Sequence, residues 1–110
     1  RDAQNQEAAR RGDGTLTVNG SPVEEYRLEK NYPNPFNPST KISYQLPEAS
    51  QVRLSVYNVS GRLVKTLVNG NQEAGRYTVT FNGANLASGV YFYRLKAGEY
   101  SATKKMMLIK

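Results

Sequence analysis

Side chains that carry out catalysis are scarce in this sequence. It contains no histidine and no cysteine, and its nine carboxylates include only two aspartates, Asp2 and Asp13. Beyond residue 24 the acids are glutamates that occur singly. They form neither a nucleophile–base pair nor an acid–base pair. Without histidine and cysteine the commonest metal ligands are also missing. We therefore expect no catalytic residues, no metal site and no cofactor, and a function other than that of an enzyme.

The basic residues are the remaining charged groups to explain. Residues 1–24 carry three arginines against four acids, a net charge of −1. Residues 25–110 carry twelve lysines and arginines against five glutamates, a net charge of +7. Such a charge can attract nucleic acid or an anionic surface, or it can serve solubility and protect strand edges from pairing. Because the basic residues are dispersed, we favour the second interpretation and expect no nucleic-acid partner.

A stiff element precedes the regular part of the chain. The stretch NYPNPFNPST, residues 31–40, holds three prolines and three asparagines. Proline fixes φ and removes a backbone donor, so the stretch is neither a helix nor a central strand. We expect an extended leading segment that displays unpaired backbone groups, in which Asn34 and Asn37 bond locally and Phe36 holds the segment to the domain. The alternative is a functional role, because a partner protein could grip a rigid unpaired segment.

Alternating apolar and polar residues predict six or seven short strands after this stretch. Glycines separate them, and we assign turns to Gly61, Gly75, Gly89 and Gly98, with a loop over residues 69–75. Short strands without helical periodicity indicate an all-β fold, an antiparallel β-sandwich. The predicted core consists of one face of the last strand and of Ile42, Tyr44, Leu46, Val52, Leu54, Val56, Tyr77, Val79, Phe81, Tyr91, Tyr93 and Leu95.

Three stretches of the sequence resemble one protein family. They are YPNPFNPSTKISYQLPEASQVRLSVYNVSGRLVKTL, AGRYTVTFNGANLASGVYFYRLKAG and the terminal KKMMLIK. Together they closely resemble the C-terminal sorting domain of the type IX secretion system. The resemblance implies an immunoglobulin-like sandwich of about seven strands, related to the domain of flagellar hook-capping proteins. It divides the chain into a flexible linker from an upstream domain, residues 1–27, and a sorting domain, residues 28–110.

The resemblance also implies a role in protein targeting. Members of this family end large exported proteins of the Bacteroidetes, which cross the periplasm and pass an outer-membrane translocon to reach the cell surface or the medium. A sortase-like protease commonly removes the domain, which places the expected cut before about Leu28. The sequence starts at Arg1 without an initiator methionine or an apolar signal region, so we expect a part of a longer protein with cargo upstream.

The candidate recognition residues follow from this resemblance. The basic-then-apolar end of the chain matches the part of the signal nearest the family's C-terminus, and the proline-rich stretch is a secondary element. A terminal strand edge can also accept a strand from a partner, which makes this end a candidate docking strand for the export machinery. The candidate residues are Pro33, Asn34, Pro35, Phe36, Asn37, Pro38, Lys105, Met106, Met107, Leu108, Ile109 and Lys110.

Two other functions stay open at this point. The eight tyrosines could stack on sugars in a carbohydrate-binding accessory module, although alternation directs four of them into the core. The domain could also be a structural or assembly module of a multidomain secreted enzyme. The longest aliphatic run is only four residues, Met106 to Ile109, whereas a membrane span needs about 20 apolar residues, so we expect no membrane insertion.

Overall fold

The computed structural model describes residues 17–18, 21–22 and 24–110, which form β-strands and connecting turns. Within these residues there is no helix long and apolar enough to cross a membrane. The strands are β1 (Thr17–Val18), β2 (Ser21–Pro22), β3 (Arg27–Leu28), β4 (Ser39–Leu46), β5 (Ser50–Asn58), β6 (Leu63–Gln72), β7 (Gly75–Asn82), β8 (Gly89–Ala97) and β9 (Tyr100–Leu108).

Seven of these strands form two antiparallel sheets that pack face to face. The three-stranded sheet has the order β3-β4-β7, and the four-stranded sheet has the order β6-β5-β8-β9. β1 and β2 form a separate two-stranded ladder. The arrangement confirms the predicted all-β, immunoglobulin-like sandwich.

The core lies between the two sheets and consists of the residues that alternation directed inward. Ten of the twelve predicted core residues are buried, together with Met106 and Leu108 of the last strand. The other two, Tyr77 and Val79, are partly buried and pack against the core. Both lie on β7, an edge strand of its sheet, whereas Phe81 on the same strand is buried against Phe36. The Tyr77 ring stacks on Tyr44 with the centroids 5.3 Å apart.

Two of the four predicted glycine turns are confirmed. Gly61 has a φ of 82° in the turn after β5, and Gly98 has a φ of 58° between β8 and β9. Gly75 and Gly89 instead are the first residues of β7 and β8, so their assignment to turns was wrong.

The predicted loop over residues 69–75 was also wrong for most of its length. β6 continues through Asn69 to Gln72, where Asn71 pairs with Gln51 and Gln72 pairs with Ser50. Pairing with β5 satisfies the main chain there, which outweighs the low strand propensity of asparagine and glycine.

The leading segment moves from one sheet to the other. Glu29 N–H donates to the Ser43 carbonyl at 2.9 Å, on the three-stranded sheet. Further along, Phe36 forms a parallel bridge with Leu108 of the four-stranded sheet. Tyr32 still pairs with Lys41 of the three-stranded sheet. The prolines at 33 and 35 lie between Tyr32 and Phe36, where a missing N–H costs no ladder hydrogen bond. Residues 1–23 of the predicted linker lie largely outside the described residues, and the predicted boundary at residue 28 stays a prediction.

Candidate recognition site at the C-terminal strand

The structure brings the two predicted recognition segments together. Phe36 N–H donates to the Met107 carbonyl at 2.9 Å, and Ile109 N–H donates to the Phe36 carbonyl at 2.9 Å. The Asn34 side-chain oxygen accepts from Met107 N–H at 3.0 Å, a contact between residues 73 positions apart. The proline-rich segment and the end of the chain therefore form one continuous surface.

Phe36 anchors this surface in the core. Its side chain is 1% exposed and meets Phe81 edge to face, with the ring centroids 6.0 Å apart. Gly83 allows the close approach, because a Cβ there would lie 3.0 Å from Leu108 and 3.5 Å from Phe36. Gly83 N–H also donates to the Pro38 carbonyl at 2.8 Å. Sequence analysis predicted the anchoring by Phe36 and missed Gly83, which in FNGAN has only the signature of a turn.

The expectation that the leading segment displays unpaired backbone groups is wrong for two of its residues. Tyr32 exchanges both main-chain hydrogen bonds with Lys41, at 3.0 and 2.9 Å, and Phe36 pairs with the last strand. The expected local bond of Asn34 is replaced by its contact with Met107. The prolines therefore do not prevent pairing. They separate Tyr32, which pairs with the three-stranded sheet, from Phe36, which pairs with the four-stranded sheet.

Alternation along the last strand divides the terminal candidates into two sets. Met106 and Leu108 are buried in the core, whereas Lys105, Met107 and Ile109 are exposed. A partner can touch only the second set, so the buried pair acts by holding the strand in place. The other exposed candidates are Pro33, Asn34, Pro35, Asn37, Pro38 and Lys110.

The surface around these residues is positively charged. β8 carries Arg94 and Lys96, β9 carries Lys104 and Lys105, and neither strand contains an acid. The Lys110 ammonium group donates to the Ala84 carbonyl at 2.6 Å, which fixes the last residue on the loop before β8.

A buried polar network fixes the start of the leading segment. The Tyr93 hydroxyl accepts from Asn31 N–H at 2.8 Å and donates to the Glu29 carbonyl at 2.8 Å. Burial raises the pKa of Tyr93 to about 12. Asn31 Nδ2 donates to Thr40 Oγ1 at 2.9 Å, and that hydroxyl donates to the Pro33 carbonyl at 2.8 Å. Sequence analysis directed Tyr93 inward but gave no sign of these partners, which lie more than 60 residues away.

The rest of the described surface was compared with what sugar binding and metal binding require. Tyr32 is 80% exposed beside a shallow groove lined by Pro33, Lys41 and Thr80. It stands alone among the described aromatic side chains in this exposure, whereas a sugar-stacking platform needs several. No group of three or more histidines, cysteines or acids that could hold a metal ion occurs in the part of the chain that the structure describes.

The chain is an all-β sandwich in which the leading segment and the end of the last strand form one surface. Comparison with known proteins gives the family: the model of the secretion system C-terminal sorting domain matches residues 30–110. The chain belongs to this family, the C-terminal sorting signals of the type IX secretion system, and the predicted resemblance is confirmed. The role of such a domain is sorting.

The chain was also compared with curated proteins and with solved structures. No curated protein matches this chain. Among solved structures, a similar one is that of PorZ from Porphyromonas gingivalis, described as an essential bacterial surface component of the type IX secretion system. The TM-score is 0.51 at 22% identity, and the match covers 77% of this chain and 11% of the PorZ chain. The chain thus spans about a tenth of PorZ, and the likeness shows a shared fold.

Proposed function

We propose that the outer-membrane type IX translocon binds this domain and carries an attached upstream cargo from the periplasm to the cell surface or the medium. The observation that carries the proposal is the family match over residues 30–110. The domain acts as a binding signal and catalyses no reaction. Its contact surface comprises the exposed residues Asn34, Lys105, Met107 and Ile109, which two distant parts of the sequence supply.

The geometry separates this surface from the expected cleavage site. Tyr26, just before the predicted boundary, stacks on Tyr100 at the start of β9, whereas Phe36 pairs with Leu108 at its end. A strand rises about 3.4 Å per residue, so the two positions lie roughly 27 Å apart along β9. A sortase-like protease acting before Leu28 would therefore leave the recognition surface free for the translocon.

Export of a reporter tests the proposal. We expect a periplasmic reporter fused upstream of residues 1–110 to reach the cell exterior in a host with a type IX system. In the same host without its translocon, the reporter should stay in the periplasm. A reporter that remains periplasmic in both hosts would contradict the proposed function.

Single substitutions test the contact surface better than truncation does. Deleting residues 105–110 would remove the buried side chains of Met106 and Leu108 and would unfold the domain. Ile109→Ser and Leu63→Ser are a matched pair. Ile109 directly follows the edge strand β9 and is 48% exposed, and Leu63 lies on the opposite edge strand β6 and is 49% exposed. We expect the first to lower export and the second to leave it unchanged, at equal urea midpoints. Equal export by both variants would remove Ile109 from the contact surface.

The position of the cut is tested separately. Mass spectrometry of the exported cargo should give a C-terminal residue upstream of Leu28. Cargo that ends within residues 28–110 would contradict the proposed boundary, and uncut cargo would show that the domain is retained.

A further inference from the structure

The outer edge of β9 before Met107 presents a row of main-chain groups. β9 is the last strand of its sheet, and the Met107 carbonyl accepts from Phe36, so the main-chain groups of Met107 point away from β8. The direction of these groups alternates along a strand, so those of Ser101, Thr103 and Lys105 point outward as well. In the part of the chain that the structure describes, no main-chain group is hydrogen-bonded to the outward groups of these three residues.

The chain itself shows that this edge accepts a strand. Phe36 forms a parallel bridge to Leu108 on the same side of β9, immediately beyond the open part. A shallow groove lined by Asn34, Pro35, Val90 and Met107 lies where the paired part and the open part meet. An extended segment bound at the open edge would end against Asn34 and could place an apolar side chain in this groove.

Charge determines which kind of strand fits. β8 and β9 together carry four basic residues and no acid. Two copies of this basic edge would repel each other, whereas acidic side chains would be attracted.

We propose that an extended, acidic segment of the export machinery adds as a strand to β9 along Ser101–Lys105. The inference rests on the proposed function, extends the contact surface from Lys105 along the edge of β9 to Ser101, and names the chemistry of the partner. Main-chain hydrogen bonds would supply affinity, and the basic side chains and the groove would supply selectivity.

Proline at position 103 tests the pairing. Thr103→Pro removes the outward N–H, while the bonds from β9 to β8 are made by the alternate residues. Thr103→Ala keeps the N–H and is the reference variant. Loss of one or two hydrogen bonds predicts roughly tenfold less exported reporter for the proline variant than for the alanine variant. Ser101→Pro is the second proline variant if Thr103→Pro lowers the urea midpoint.

Charge reversal tests the acidic character of the partner. Arg94 lies beside Thr103 in the register of β8 and β9, and we expect Arg94→Glu to reduce export. Lys65→Glu makes the same change on β6, at the opposite edge of the sheet, and should not. Equal export by both variants would overturn the acidic partner.

The outcomes separate the two proposals. If Thr103→Pro and Ser101→Pro are exported like the wild type while Ile109→Ser is not, strand addition is overturned and the proposed function stands. If the wild-type fusion itself is not exported, the proposed function fails. A wild-type dimer in analytical ultracentrifugation that Thr103→Pro makes monomeric would assign the edge to a second copy and also overturn the inference.

Discussion

The chain before β4 contacts β9 at two places, at Tyr26 and at Phe36 of the leading segment, and the two contacts differ in kind. At the Tyr26 end, Tyr26 stacks on Tyr100 at 5.2 Å, and its hydroxyl lies 2.9 Å from Ser50 Oγ and 3.2 Å from Glu48 Oε2. These contacts are all between side chains, and both tyrosine rings are partly buried against the core. At the Phe36 end, a buried ring and two main-chain hydrogen bonds hold the segment to the last strand.

This difference matches what the proposed function requires of the two ends. Partly buried side-chain contacts open locally more easily than a fully buried core does, which under the proposed function suits a stretch that a protease reaches. Buried aromatic packing and main-chain pairing hold a fixed shape, which under the proposed function suits a surface that the translocon recognises. The predictions below ask whether the two ends differ in energy as they do in structure.

The largest effect is expected from Phe36→Ala. Removing a fully buried phenylalanine costs about 3–5 kcal/mol of unfolding free energy, measured by urea denaturation. Tyr32→Ala, at an exposed aromatic four residues earlier, should change the unfolding free energy by less than about 0.5 kcal/mol. Similar losses for the two variants would show that the Phe36 end is not the anchored one.

Tyr93→Phe should have the next largest effect. It leaves Asn31 N–H and the Glu29 carbonyl without their buried partner, which costs about 1–3 kcal/mol. Tyr26→Phe removes a more exposed hydroxyl and should cost less than about 1 kcal/mol. Equal costs in urea denaturation would contradict the distinction between buried and surface contacts.

Alkaline pH should destabilise the domain through the same hydroxyl. Burial raises the pKa of Tyr93 and of Tyr44 to about 12, against about 10 in the unfolded chain. The folded state then holds protons that the unfolded state releases, so the unfolding free energy is unaffected below pH 10 and falls between pH 10 and 12. Urea midpoints across this range should fall less steeply for Tyr93→Phe, and parallel curves would contradict the assignment.

The smallest effect is expected from Asn34→Ala. The contact between Asn34 and Met107 is exposed, so its loss should cost about 0.5–1.5 kcal/mol and speed hydrogen exchange at the Met107 amide. Asn34→Asp keeps an acceptor oxygen and should preserve the protection of that amide. Unchanged exchange in Asn34→Ala would show that the bond does not hold the last strand.

Much of the fold was predictable because strand alternation is a local property. Ile42, Tyr44 and Leu46 are buried as predicted, since residues two apart point to the same face of a strand. Alternation also placed one face of the last strand in the core, which Met106 and Leu108 confirm. It failed at residues 69–72, where pairing with β5 and not side-chain pattern makes the strand.

The candidate site was predictable in its parts and not in its assembly. The family motifs pointed to Phe36 and to the last strand separately, and Phe36 was expected to anchor its segment. No local pattern indicates that Asn34 contacts Met107 or that Gly83 has to lack a side chain, because both depend on which segments the topology brings together.

The sequence by itself determined the absence of histidine and cysteine, the excess of positive charge, the alternating strands and the family motifs at both ends of the domain. The tertiary structure alone decided that the leading segment leaves the three-stranded sheet and pairs with the C-terminal strand, and that two of the six terminal candidates, Met106 and Leu108, are buried. The physical reason is that composition and periodicity are local, whereas a main-chain pair between residues some 70 positions apart depends on how the two sheets close on each other.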